Sequence, residues 1–165
     1  MTKKPDAPGT DVPDHPETAG DFPMSFAVFA LARTHKAAAA AMLADIGLHI
    51  GQEVMLMQLD AEQGRSQKSL CDLLRADHST VAKSVGRLQK AGLVTKTKAA
   101  YDERVSLVAL TAKGVEIRQK ALAIWSSLEE ITAAGLTESE QRQFIKLAAK
   151  LAESIDQQTW HPQPL

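Results

Sequence analysis

Apolar residues recur along most of this chain at helical spacing. Positions 25–46 are rich in alanine and hold neither glycine nor proline, which predicts a long helix stopped at Gly47. A second helix is predicted over 50–61, with Ile50, Val54, Met57 and Ala61 on one face and Gly64 breaking it. Ser66 suits the N-cap of a short helix carrying Leu70, Leu73 and Leu74. Asp77 caps the next, predicted to reach Ala91 and close at Gly92. In that helix Val81, Val85 and Leu88 face a core, while Thr80, Lys83, Ser84 and Arg87 form a separate polar stripe that Ser79 and Lys90 extend. Segments 93–98 and 104–110 are β-branched or alternating and flank residues 99–103, which predicts a hairpin. Thr111 starts another helix, expected to reach Ala134. Thr137-Glu138-Ser139-Glu140 is a capping box for the last one, in which Phe144, Leu147, Ala148, Leu151 and Ile155 make one apolar stripe. The expected class is mostly α with a small β-hairpin.

Composition narrows the chemistry. The 165 residues suit one domain, and the 44% hydrophobic fraction is enough to bury a core. A single cysteine excludes a disulfide framework within the chain and a cysteine-rich zinc module. The longest apolar runs, 26–32 and 37–44, fall well short of the roughly 18 residues of a membrane helix, and 1–23 has no apolar stretch to act as a secretory signal. No membrane partner is expected, and a soluble cytoplasmic protein is.

The net charge of −1 hides an uneven distribution. Residues 1–23 hold two bases against five acids and five of the seven prolines, so they are read as a disordered acidic tail. That tail is either a passive solubiliser or a competitor for a basic surface. Residues 62–104 carry nine bases against five acids. Charge alone favours a solvated face as the explanation.

The order of elements decides otherwise. A short helix, a tight turn, a second helix and a hairpin make a winged helix-turn-helix. The hydroxyl-rich start of the second helix suits a duplex groove, with Ser and Thr meeting base edges or phosphates and Lys and Arg reaching phosphates or guanine. The free amides there also suit a phosphate. Ser66-Gln67-x-x-Leu70, Ser79-Thr80-Val81 and Arg87-Leu88-x-Lys90-x-Gly92-Leu93-Val94 then follow one another, with Asp102-x-Arg104 and Leu110-Thr111-x-Lys113-Gly114 after them. This ordered set resembles the MarR family of transcription regulators.

The resemblance implies a homodimer on a pseudo-palindromic double-stranded DNA operator, acting as a ligand-responsive repressor and associated with the nucleoid when bound. Residues 49–110 correspond to the winged module. Residues 24–48 and 111–160 correspond to long N- and C-terminal dimerisation helices, and 161–165 to a frayed end. The recognition helix maps to 77–91, which places Ser79, Thr80, Lys83, Ser84 and Arg87 at the major groove; Ser66, Gln67, Lys90 and Lys98 join this DNA-binding set. The wing maps to 94–110, with Asp102 holding it and Arg104 reaching a minor groove or phosphate. The effector pocket would lie between the dimer helices and the winged module, with His35, Met57 and Trp125 as candidates and an aromatic or phenolic anion as the expected effector.

Plainer roles fit several residues. Cys71 reads as an inert, at least half-buried thiol, since the family's peroxide sensors carry theirs in the first helix. The zinc-sensing members pair histidines after the wing, where this chain has none, and no metal or cofactor is assigned. Gly86 costs roughly 1 kcal/mol of helix propensity, and either lets a DNA backbone approach or has no role. No phosphate loop, nucleophile elbow or zinc-protease motif is present, so an enzyme is not expected. The alternative to DNA binding is a winged-helix module that binds proteins only.

Overall fold

The computed structural model describes residues 20–159, so the tail over 1–19 and the end over 160–165 lie outside the described residues. The first helix, α1, spans Pro23–Ala44. It takes in the last position of the expected tail because a proline ring presets the φ of a first helical turn. The chain divides within α1, residues up to Ala37 forming one compact unit and those from Ala38 another.

In the first unit Phe22, Met24, Val28, Phe29 and Leu31 are exposed. The second unit contains the end of α1, then α2 (Gln52–Met57), β1 (Arg65–Ser66), α3 (Gln67–Leu74) and α4 (His78–Lys90), followed by β2 (Val94–Ala99), β3 (Asp102–Leu110), α5 (Ala112–Ala133) and α6 (Glu138–Thr159). Its core joins Leu43, Leu56, Leu70, Val81, Val85, Leu88, Val108 and Ala121, all fully buried. Val81, Val85 and Leu88 are therefore the inward face of α4, as their spacing predicts.

The caps form as the sequence implies. Ser66 Oγ accepts the Ser69 N–H at 3.1 Å and Thr111 Oγ1 the Gly114 N–H at 3.0 Å. Glu140 accepts both the N–H and the hydroxyl of Thr137, at 2.8 and 2.7 Å, and these bonds hold its carboxyl below the usual range.

Two expectations need correction, and the sheet gains a strand that the sequence does not announce. The second helix ends at Met57 rather than Ala61, because Asp60 Oδ1 collects the N–H groups of Glu62, Gln63 and Gly64 and bends the chain into a loop. The hairpin connection is only Ala100 and Tyr101, since Ala99 already pairs with Asp102 across a register shift. A third strand, β1, pairs antiparallel with β3, Arg65 opposite Val108 and Ser66 opposite Leu107, which gives the sheet order β1-β3-β2.

Candidate nucleic-acid interface

The wall that α4 turns away from the core is polar. Lys83, Arg87 and Lys90 are exposed on it, and Ser84 is half-buried. Among the described residues none of these three cations is held in an ion pair.

The head of α4 is more constrained than its sequence suggests. Asp77 is the N-cap: its Oδ1 accepts the Thr80 N–H at 2.9 Å and the Ser79 hydroxyl at 2.6 Å, and its Oδ2 accepts the Thr80 hydroxyl at 2.6 Å. The hydroxyls of Ser79 and Thr80, and then the Thr80 amide, hold the Asp77 carboxyl far below the ordinary carboxylate range. The chain's own carboxylate thus takes one of the amides that the sequence offered to a phosphate, that of Thr80.

At the other end of α4 the chain is pinned to α5. The Thr111 hydroxyl donates to the Gly92 carbonyl at 2.7 Å, and Lys113 Nζ to the Ala91 carbonyl at 3.0 Å. Gly92, at φ 73°, makes the left-handed turn between α4 and β2 that a Cβ would oppose.

The wing is held by Asp102, whose Oδ1 accepts the Arg104 N–H at 2.9 Å, and the Arg104 and Lys98 side chains are exposed. Tyr101 at its tip is 76% exposed, an aromatic surface to which the sequence motifs assign no role. Ser66 is occupied as a cap, and Gln67 Nε2 is buried with no hydrogen-bond partner among the described residues. Arg65, which the sequence counts toward the basic stretch, is structural: its Nε donates to the Gln58 carbonyl at 2.9 Å. Nothing in the sequence marks Arg65 as different from its neighbours, because that carbonyl is exposed only where α2 stops early. At position 86 a Cβ would meet no atom within 4 Å, so the protein's own packing does not require this glycine.

His35 is half-buried on α1, Met57 packs against the core from α2, and Trp125 is 36% exposed on α5. A cavity of about 480 Å³ is lined by Ala40, Ala44, Gly47, Leu48, His49 and Ile50, without Met57 or Trp125. Cys71 is half-buried; desolvation, then the charges of Asp72 and Asp77, push its thiol pKa up, away from a reactive thiolate. Among the described residues no three His, Cys, Asp or Glu side chains are arranged to hold a metal, and no helix is long and apolar enough to cross a membrane.

A family model described as a winged helix DNA-binding domain matches residues 52–114. The HTH-type transcriptional regulator BilQ of Clostridium symbiosum is 27% identical over 108 residues, 66% of this chain and 75% of that protein. Among solved structures, the MepR–DNA complex of S. aureus superposes with a TM-score of 0.75 at 21% identity, covering 79% of this chain and 97% of that one. The PcaV regulator of Streptomyces coelicolor, solved with its natural ligand, gives a TM-score of 0.73 at 25% identity, covering 85% and 97%.

Proposed function

We propose that the chain, which carries a winged helix DNA-binding domain over residues 52–114, is a transcriptional regulator of the MarR family that works as a homodimeric, ligand-responsive repressor on a pseudo-palindromic operator. The carrying observation is α4 itself: its apolar face is fully buried and its opposite face presents the exposed cations Lys83, Arg87 and Lys90. A helix so mounted is a rigid rod whose outer wall matches a polyanionic groove. The wing supplies Lys98 and Arg104 beside it, with Asp102 bracing the turn. Ser66 and Gln67 at the head of α3 complete the proposed DNA-facing set.

Pairing of two copies is supported by what a single chain leaves uncovered. Leu122, Trp125 and Ile131 on α5, and Phe144, Leu147, Leu151 and Ile155 on α6, are exposed in the isolated subunit. So many large apolar side chains on two consecutive helices of the chain mark an association surface. Ligand response is supported by the PcaV structure, which holds a ligand in the same fold; for this chain we retain His35, Met57 and Trp125 as the residues to test, with an aromatic or phenolic anion as effector.

The test combines light scattering with fluorescence polarisation on duplexes recovered from a random pool, titrated with salt. The reading predicts a dimer at micromolar concentration and an affinity that falls steeply with salt. A monomer, or indifference to every duplex at low salt, would refute it.

A further inference from the structure

The hydroxyl protons at the head of α4 are already committed. An ionised carboxylate can only accept, so the short contacts from Ser79 Oγ and Thr80 Oγ1 to Asp77, both 2.6 Å, must each consume the single proton of a hydroxyl. Both side chains are exposed. What they turn outward is lone pairs. The Thr80 N–H is spent on the same carboxylate.

This polarity restricts what the helix head can meet. A phosphate offers acceptors and negative charge, and so is matched neither to two acceptors nor to the carboxylate behind them. In the major groove guanine shows N7 and O6 and thymine shows O4, all acceptors. The base groups that donate there are the N6 amino group of adenine and the N4 amino group of cytosine. We infer that Ser79 and Thr80, set by Asp77 as a positioning residue, select adenine or cytosine amino groups at the base pairs beneath the head of α4, leaving the phosphate contacts to Lys83, Arg87 and Lys90. The inference rests on the reading of α4 as a recognition helix, which comes independently from the winged-helix match over residues 52–114 and not from the helix head.

The experiment uses the full chain and a duplex recovered by selection from a random pool. Single amino groups are then removed from that duplex, with nebularine for adenine and 2-pyrimidinone for cytosine. The parent protein is expected to lose about tenfold in affinity at one or more positions per half-site. Thr80→Val or Ser79→Ala should abolish that sensitivity while leaving the salt dependence unchanged. Asp77→Asn is a second, distinguishing variant: its amide nitrogen donates, which returns a proton to one hydroxyl, so repeated selection should admit guanine or thymine at the sensitive position. The inference is overturned, with DNA binding intact, if no amino deletion matters. It is equally overturned if Thr80→Val and Ser79→Ala alter contacts only at guanines or at phosphates replaced by methylphosphonate. Failure to recover any duplex bound in a salt-dependent way overturns the recognition-helix reading itself, and this inference with it.

Discussion

Gly114 lies directly against the main chain of Leu93: a Cβ at 114 would overlap the Leu93 carbonyl oxygen. That carbonyl also accepts the Thr111 N–H at 3.0 Å, so it cannot retreat without breaking the junction of β2 and α5. Gly114→Ala should therefore destabilise the protein by about 3 kcal/mol or more, because the clash is with backbone rather than with a movable side chain. Thermal or denaturant unfolding checks this. A melting temperature indistinguishable from the parent's would show that the junction yields without cost.

Gly86→Ala should behave in the opposite way. The site is open, and alanine gains up to roughly 1 kcal/mol of helix propensity. Polarisation measurements on the same variant separate the two roles considered for Gly86. A more stable protein with weaker DNA binding means that a phosphate backbone approaches the helix there; unchanged binding means that the glycine plays no part in the interface.

Arg87→Ala and Arg104→Ala should each lower the slope of log affinity against log salt by about one for every phosphate that is no longer neutralised. Both side chains are exposed and outside the core, so folding should be unaffected. An unchanged slope in both variants would remove α4's outer wall and the wing from the interface.

Much of this arrangement is written locally, which is why the sequence carries it. Ser66, Asp77, Thr111 and Thr137 each bond to an amide three residues away, or to the residue there, and a cap needs no knowledge of the rest of the fold. The buried set Val81, Val85 and Leu88 is legible for the same reason, through the period of the helix. Strand β1 is not, because two residues cannot display an alternation and their pairing with Leu107 and Val108 is a tertiary event. Nor does sequence reveal which way a hydroxyl points its proton; Ser79 and Thr80 look like free donors until Asp77 is placed beside them. The effector candidates His35, Met57 and Trp125 are illegible in a third way, since helical period fixes a face but not what faces it.

Glu53 should make stability depend on pH. It is 2% exposed, and its Oε2 has no hydrogen-bond partner among the described residues. Burial raises its pKa above 4.5, against the opposing pull of backbone amides at 53, 51 and 54. An acid whose folded pKa is raised favours its protonated form on folding, so stability is lost as pH climbs from 4.5 through the folded value. Glu53→Gln should therefore be more stable than the parent at neutral pH and lose that advantage below pH 4.5. Denaturant unfolding at both ends of the range decides; an advantage that persists in acid would assign the effect to packing rather than charge.

Asp77 should act with the opposite sign. Its folded pKa is depressed, so its contribution is present above 3.8 and disappears as pH falls below that value. Asp77→Ala should melt lower than the parent at neutral pH, and the two curves should converge in acid. Parallel curves would mean that the cap's worth does not depend on its charge.

The stitching of Ala91 and Gly92 to Thr111 and Lys113 has a mechanical corollary. The rod proposed to read the duplex and the long spoke proposed to meet a second copy share one rivet. In the proposed pair, the spacing of the two reading heads would follow from how the spokes cross.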